Sequence, residues 1–323
     1  VGTPAIEVQG LTREYRTSTG LLRRTARVIP ALRGITLTVE PGEIFGLVGP
    51  NGAGKTTLIK ILTTLLLPTS GQARVLGYDV VSGHRRIRRS INFVYGGERG
   101  LYWRLSAEDN LRYFADLYQV PLREANGRVR ELLELVGLDD RRQERVEGFS
   151  KGMKQRLHLA KSLINRPRVL FLDEPSIGLD PVAARQLRVL VERVRSESGT
   201  TILLTSHYMW EMETLSDRIA VLIDGSIRHL DSPQGLRLAA VGSHVVELVL
   251  GDDAREETLR AWAGRFGQVV SATASGRRLL QVHTSRPDEL NADLATRKLS
   301  GIAHFATRDS QLEDAYVLMV EGA

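Results

Sequence analysis

The 323-residue chain has no cysteine, which excludes disulfides, thiolate metal ligands and a cysteine nucleophile. It also lacks any long apolar run. LTTLLLP and VVELVL are the most extended, far short of the roughly 20 residues that span a bilayer, so no membrane-crossing segment is expected. The opening VGTPAIEVQG has no basic head followed by an apolar stretch; a cytosolic location without a secretory signal is the expectation. The seven histidines are scattered with no HxxxH pair, which argues against a structural transition metal.

What is present is globular in character. Hydrophobic residues make up 42% and charged residues 25%, ordinary values for a packed protein, and the length suits two domains. Forty-four Lys and Arg against 38 Asp and Glu leave a net charge of +6. That balance permits attraction to nucleic acid, anionic lipid or phosphates without choosing among them. The basic clusters, Arg23-Arg24, HRRIRR at 84–89 and Arg141-Arg142, are short and read first as solvated faces.

From 6 to about 230, short β-rich segments alternate with longer helical patterns, the mark of an α/β unit. IFGLVG (44–49), RVLFLDEP (168–175) and TILLTSH (201–207) have the continuous apolar character of strands buried on both faces of a parallel sheet. DSPQGLRLAAVGSH (231–244) breaks this rhythm and reads as a linker. Residues 245–323 read as a second, α+β domain: strand VVELVL, a helix with Leu259, Trp262 and Phe266 on one face, strands VVSATA and RLLQVHT, a helix with Leu290 and Leu294, strand IAHFAT and a closing helix LEDAYVLMV. Apart from the closing helix, that order is the one of a small ferredoxin-like module.

GPNGAGKTT (49–57) fits G-x-x-x-x-G-K-[ST], directly after a strand and before the apolar-periodic LIKILTTLL. Gly49, Gly52 and Gly54 allow consecutive backbone N–H groups to curl around phosphates. The helix start adds partial positive charge, Lys55 a full one, and the Thr56 hydroxyl is a ligand for Mg²⁺. Asn51, Ala53 and Thr57 complete the loop. VLFLDEP ends its strand with Asp173 at the tip and Glu174 beyond it. Asp173 suits Mg²⁺ held through its water shell. Glu174 suits orienting or deprotonating an attacking water, and a plain helix cap is the competing reading of the pair.

Further stretches follow in order. GFSKGMKQR (148–156) opens an amphipathic helix with Ser150 and Gly152 at its start, which is either a phosphate site or an ordinary cap. SIGLD (176–180) ends on Asp180, LLTSH on His207, and LTREYR contains Tyr15. With the phosphate loop and the Asp-Glu pair, these stretches resemble the nucleotide-binding subunits of ATP-binding cassette (ABC) transporters over residues 6–230.

The resemblance implies a fold and a set of roles. The fold is an α/β cassette with a mostly parallel core sheet, antiparallel β and helical subdomains, the helical one at about 96–165. Tyr15 stacks on adenine, and His207 contacts the γ-phosphate or the attacking water. Ser150, Lys151, Gly152 and Met153, in the place of the family's signature, complete the ATP site of a second copy or a related subunit. Asp180 ends the stretch that stands in the place of the family's D-loop. ATP and Mg²⁺ are the implied ligands. A separate membrane permease is the implied partner, with the chain peripheral on the cytoplasmic face of a bacterial membrane.

The family normally has a glutamine in the loop after the strand INFVYG, touching Mg²⁺ and water. Here that position falls at or beside Gly96, and no glutamine is present; water or Glu98 is left to substitute. The continuation, Gly96, Gly97, Glu98, Arg99, Leu101, Tyr102 and Trp103, mixes charge with apolar anchors as protein contacts do. It reads as a coupling loop for the permease, with packing inside the helical subdomain as the alternative. The SKGMKQR form and the SQLEDAYVLMV ending resemble subunits of bacterial exporters of drugs, antibiotics, lipids or polysaccharides. The insertion TSTGLLRRTARVIP (17–30) is either a hairpin tip or a contact with the membrane partner or its anionic headgroups. A non-transport ATPase acting on nucleic acid and a weakly hydrolysing regulatory switch are the alternatives to an export ATPase; nucleic acid is not the expected partner, because neither a second cassette nor a long coiled-coil insertion interrupts the chain.

Overall fold

In a computed structural model of the chain, residues 2–19, 25–95, 100–274, 276–297 and 301–321 are described. The chain divides into two compact units, 1–230 and 231–323. The first starts with two long antiparallel strands, β1 (Ile6–Thr19) and β2 (Thr25–Val39), paired as far as Thr19 opposite Thr25. The insertion therefore lengthens a hairpin; Leu21, Leu22, Arg23 and Arg24 lie outside the described residues. β3 (Ile44–Val48), buried along its whole length, runs into α1 (Lys55–Leu62). β4 (Ser70–Val75) pairs with β1 and carries the short β5 (Tyr78–Asp79), giving an antiparallel sheet in the order β2-β1-β4-β5.

After α2 (His84–Ser90) and β6 (Ile91–Tyr95) come three helices, α3 (Ala107–Leu117), α4 (Leu122–Leu135) and α5 (Lys151–Ser162). Strands and helices then alternate: β7 (Val169–Asp173), α6 (Pro181–Ser198), β8 (Thr201–Thr205), α7 (Met209–Leu215), β9 (Arg218–Ile223) and β10 (Ser226–Asp231). The central sheet has the order β10-β9-β3-β8-β7-β6, and β9, β3, β8, β7 and β6 are parallel neighbours. Burial along their whole length in this parallel sheet explains why IFGLV, VLFL and TILLT carry no polar alternation. Phe45, Phe171, Leu58, Ile59 and Leu203 meet in one core, each large side chain stabilising the fold by about 1.5–3 kcal/mol through burial.

The second unit opens with a correction. Residues 231–244, expected as a linker, contain the helix α8 (Pro233–Val241). Ser232 caps it by accepting from the Gly235 N–H at 3.0 Å, and Pro233 takes the first helical position, where its missing N–H costs nothing. The Ser-Pro pair that suggested a break is a helix start. Then come β11 (His244–Leu250), α9 (Glu256–Ala263), β12 (Gln268–Ala274), β13 (Arg277–Thr284), α10 (Pro287–Arg297), β14 (Ile302–Asp309) and α11 (Leu312–Glu321). Their sheet is antiparallel in the order β12-β13-β11-β14, and its core gathers Val246, Leu248, Leu259, Trp262, Leu280, Leu290 and Leu294. The helix α9 stops at Ala263, so Phe266 follows it rather than lying on it, with its ring 5.5 Å from that of Trp262.

Candidate functional site

The loop between β3 and α1 is shaped by backbone proximity. A Cβ on Gly49 would lie 2.1 Å from the Leu222 carbonyl oxygen and one on Gly54 2.5 Å from that of Ala31, so neither position tolerates a side chain. The Gly225 N–H donates to the Ala53 carbonyl at 3.1 Å, tying the loop to the turn between β9 and β10. Inside it, the Lys55 ammonium is buried and donates to the carbonyls of Gly49 at 2.5 Å and Pro50 at 3.1 Å. Burial holds its pKa below the usual lysine range, opposed by the nearby Glu174 and Asp173 carboxylates. A desolvated cation at the glycine-rich start of a helix is suited to phosphate.

β7 delivers two acids to the same place. Asp173 Oδ2 is 3.5 Å from the Thr56 hydroxyl, and its Oδ1 accepts a bond of 2.6 Å from Thr205. Glu174 sits at φ 53°, a left-handed conformation that costs a non-glycine residue about 1 kcal/mol or more. Its N–H is held at 3.1 Å by both the carbonyl and the hydroxyl of Thr205. The turn aims the Glu174 carboxylate at His207, whose Nε2 lies 2.6 Å from Glu174 Oε1. Tyr15 reaches the loop as well, its hydroxyl 3.4 Å from that of Thr57 with the Arg13 guanidinium 5.0 Å from its ring centre.

The oxygens of Thr56 and Asp173 are hard donors. Among the described residues no group of three or more His, Cys, Asp or Glu side chains is placed to hold a metal. A hydroxyl and one carboxylate nevertheless fit Mg²⁺, which keeps most of its waters and needs few protein ligands.

The expected signature lies elsewhere in the unit. Ser150 caps α5, accepting from the Met153 N–H at 3.2 Å. Lys151 Nζ would lie 2.2 Å from a Cβ on Gly178, and a Cβ on Gly152 would come within 2.9 Å of Ala183 Cβ. This segment thus packs against the start of α6, where Asp180 caps the helix by accepting from the N–H groups of Val182 and Ala183, both at 3.0 Å. Among the described residues no hydrogen bond or ion pair joins Ser150, Lys151, Gly152 or Met153 to the phosphate loop.

Gly96, Gly97, Glu98 and Arg99 lie outside the described residues. Beyond them Leu101 is buried, whereas Tyr102 and Trp103 remain 46% and 48% exposed; the core alternative therefore fits Leu101 only. Tyr102 meets Tyr113 edge-on at 4.7 Å, and the Lys154 ammonium lies 5.1 Å from the Trp103 ring centre.

Sequence reasoning missed Thr205, Ser206, Ser176 and Glu211. The Ser176 hydroxyl donates to Glu211 Oε2 at 2.8 Å, and the Ser206 hydroxyl donates to the same oxygen. The hydroxyls flanking the Asp-Glu pair and the histidine were the available signal.

Residues 32–177 match the family described as ABC transporter. A fluoroquinolones export ATP-binding protein of Mycobacterium tuberculosis is 40% identical over 262 residues, 80% of this chain and 81% of that protein. The Nod factor export ATP-binding protein I of Rhizobium meliloti is 34% identical over 317 residues, covering 98% of this chain and 88% of that protein. Among solved structures, cbiO1 from Clostridium perfringens, part of the ABC transporter complex cbiONQ, superposes with a TM-score of 0.63 at 26% identity, over 72% of this chain and 90% of that one.

Proposed function

Because the chain belongs to the ATP-binding subunits of ABC transporters, we propose that it binds and hydrolyses ATP to drive export through a separate membrane permease. The observation that carries this reading is the convergence of Lys55, Asp173, Glu174 and His207 on one phosphate loop. The backbone N–H groups of residues 51–57 and the Lys55 ammonium bind the phosphates, and Tyr15 supports the adenine. Thr56 and Asp173 would hold Mg²⁺, which neutralises charge on the phosphate oxygens. Glu174 accepts the proton of the attacking water, and His207, through Nε2, fixes that carboxylate's direction.

Ser150 and Gly152 stand apart from their own chain's loop, which supports a head-to-tail pair in which each chain's signature closes the other's ATP site. A γ-phosphate bridging two chains makes closure depend on ATP, and hydrolysis releases it. Export is supported by the relatives named for it. Among the described residues no helix is long and apolar enough to cross a membrane, which fits a peripheral subunit on the cytoplasmic face beside a permease.

The test is Glu174→Gln with MgATP, followed by light scattering on a sizing column. An ATP-dependent dimer with hydrolysis reduced by at least about a hundredfold is expected. Turnover at the wild-type rate excludes Glu174 as the base and overturns this reading.

A further inference from the structure

Glu211, in the first turn of α7, is 1% exposed, and the two hydroxyls it accepts from, Ser176 and Ser206, are 1% and 3% exposed. Ser176 follows Glu174 by two residues and Ser206 precedes His207 by one. The Glu174–His207 contact at 2.6 Å closes a ring: along the chain from Glu174 to Ser176, across to Glu211, across to Ser206, along to His207 and back to Glu174. The Tyr208 N–H donates to the Ser206 hydroxyl at 3.0 Å, which fixes the rotamer that makes the ring. From α6, the Arg188 guanidinium lies 3.7 Å from the Trp210 ring centre and is within electrostatic reach of Glu211, so α7 is held from a second side.

We infer that Glu211 is a positioning residue for hydrolysis, a latch that holds the loop bearing Glu174 and the loop bearing His207 in one mutual geometry. It touches neither the nucleotide loop nor the reacting atoms. Its effect passes through Ser176 and Ser206, and without it two buried hydroxyls lose their acceptor and the two loops are free to separate. The same bond places Ser176 at the head of the stretch ending in Asp180.

The inference rests on the hydrolytic reading above, and its test separates the two. Basal ATP hydrolysis, binding of a fluorescent ATP analogue and thermal unfolding are measured on the full chain, for wild type, Ser176→Ala, Ser206→Ala, Glu211→Ala, Glu211→Gln and the Ser206→Ala/Glu211→Ala double variant. Glu211→Ala is expected to lower kcat by about 10- to 100-fold, the scale of a small misplacement of catalytic groups, with nucleotide affinity within about twofold. Glu211→Gln, which keeps an acceptor oxygen, recovers part of the loss. The double variant falls no further than Glu211→Ala alone, because one latch is broken once.

Unchanged kcat in the folded variants, parallel losses of kcat and affinity, or additive effects in the double variant each overturn the latch. Should Glu211→Ala fail to fold, the single serine variants and Glu211→Gln carry the same comparison. A wild-type chain that binds but never hydrolyses ATP sinks the hydrolytic reading itself, whereas an active wild type with indifferent variants sinks only the latch.

Discussion

Thr205 serves two groups with one hydroxyl, donating to Asp173 and accepting from the Glu174 N–H. Replacing it by valine keeps the shape and the backbone bond but leaves a carboxylate oxygen without its donor. The expected cost is about 1.5–3 kcal/mol of stability together with a fall in kcat, read by denaturant unfolding and ATPase assay. Lys161 offers a pH test away from the nucleotide. It donates to the Gly100 carbonyl at 3.3 Å and lies 5.0 Å from the Phe114 ring centre, and burial lowers its pKa to about 8 from 10.5. Below pH 8 the folded chain bears an unfavourable buried charge. Between about 8 and 10.5 the unfolded chain binds more protons, so stability from this group rises with pH. Lys161→Met should therefore be favoured over wild type at pH 7, with that advantage shrinking by pH 10. At this scale the phosphate loop, Asp173, Glu174 and His207 were legible because each sits in a local pattern. Thr205 was not, because its role comes from the parallel register that sets it opposite Asp173, which no single stretch of sequence encodes.

Among the elements, the segment between β6 and α3 separates its residues by burial. Leu101 anchors the turn, and the Asn110 side chain brackets Tyr102, accepting from its N–H at 2.8 Å and donating to its carbonyl at 2.9 Å. The aromatic faces of Tyr102 and Trp103 are thereby presented on a fixed backbone beside the exposed Tyr113. Exposed aromatics on rigid support suit a protein contact. Trp103→Ala is expected to weaken permease-stimulated ATPase much more than basal ATPase; equal losses would assign Trp103 to the fold instead. The helix α8 shows where element reading fails. Its composition, rich in Gly, Ser and Pro at the edges, matches a loop, and only the cap geometry at Ser232 and its packing against α11 make it a helix.

For the whole molecule, the order of segments in 245–323 could be read from short apolar runs separated by stretches of helical spacing. Each unit encloses its own apolar core, and calorimetry is expected to resolve two transitions. ATP at about a hundred times its Kd should raise the one belonging to residues 1–230 by about 2.7 kcal/mol and leave the other in place; a single transition moving as one would refute this. One rung of the central sheet carries a last implication. Tyr95 ends β6 directly opposite Asp173 on β7, and the chain that leaves this rung leads to Tyr102 and Trp103. If a membrane protein seats on those rings, it grips the chain seven residues beyond the strand end that pairs with Asp173, so cargo and fuel would be handled by neighbouring threads of one fabric.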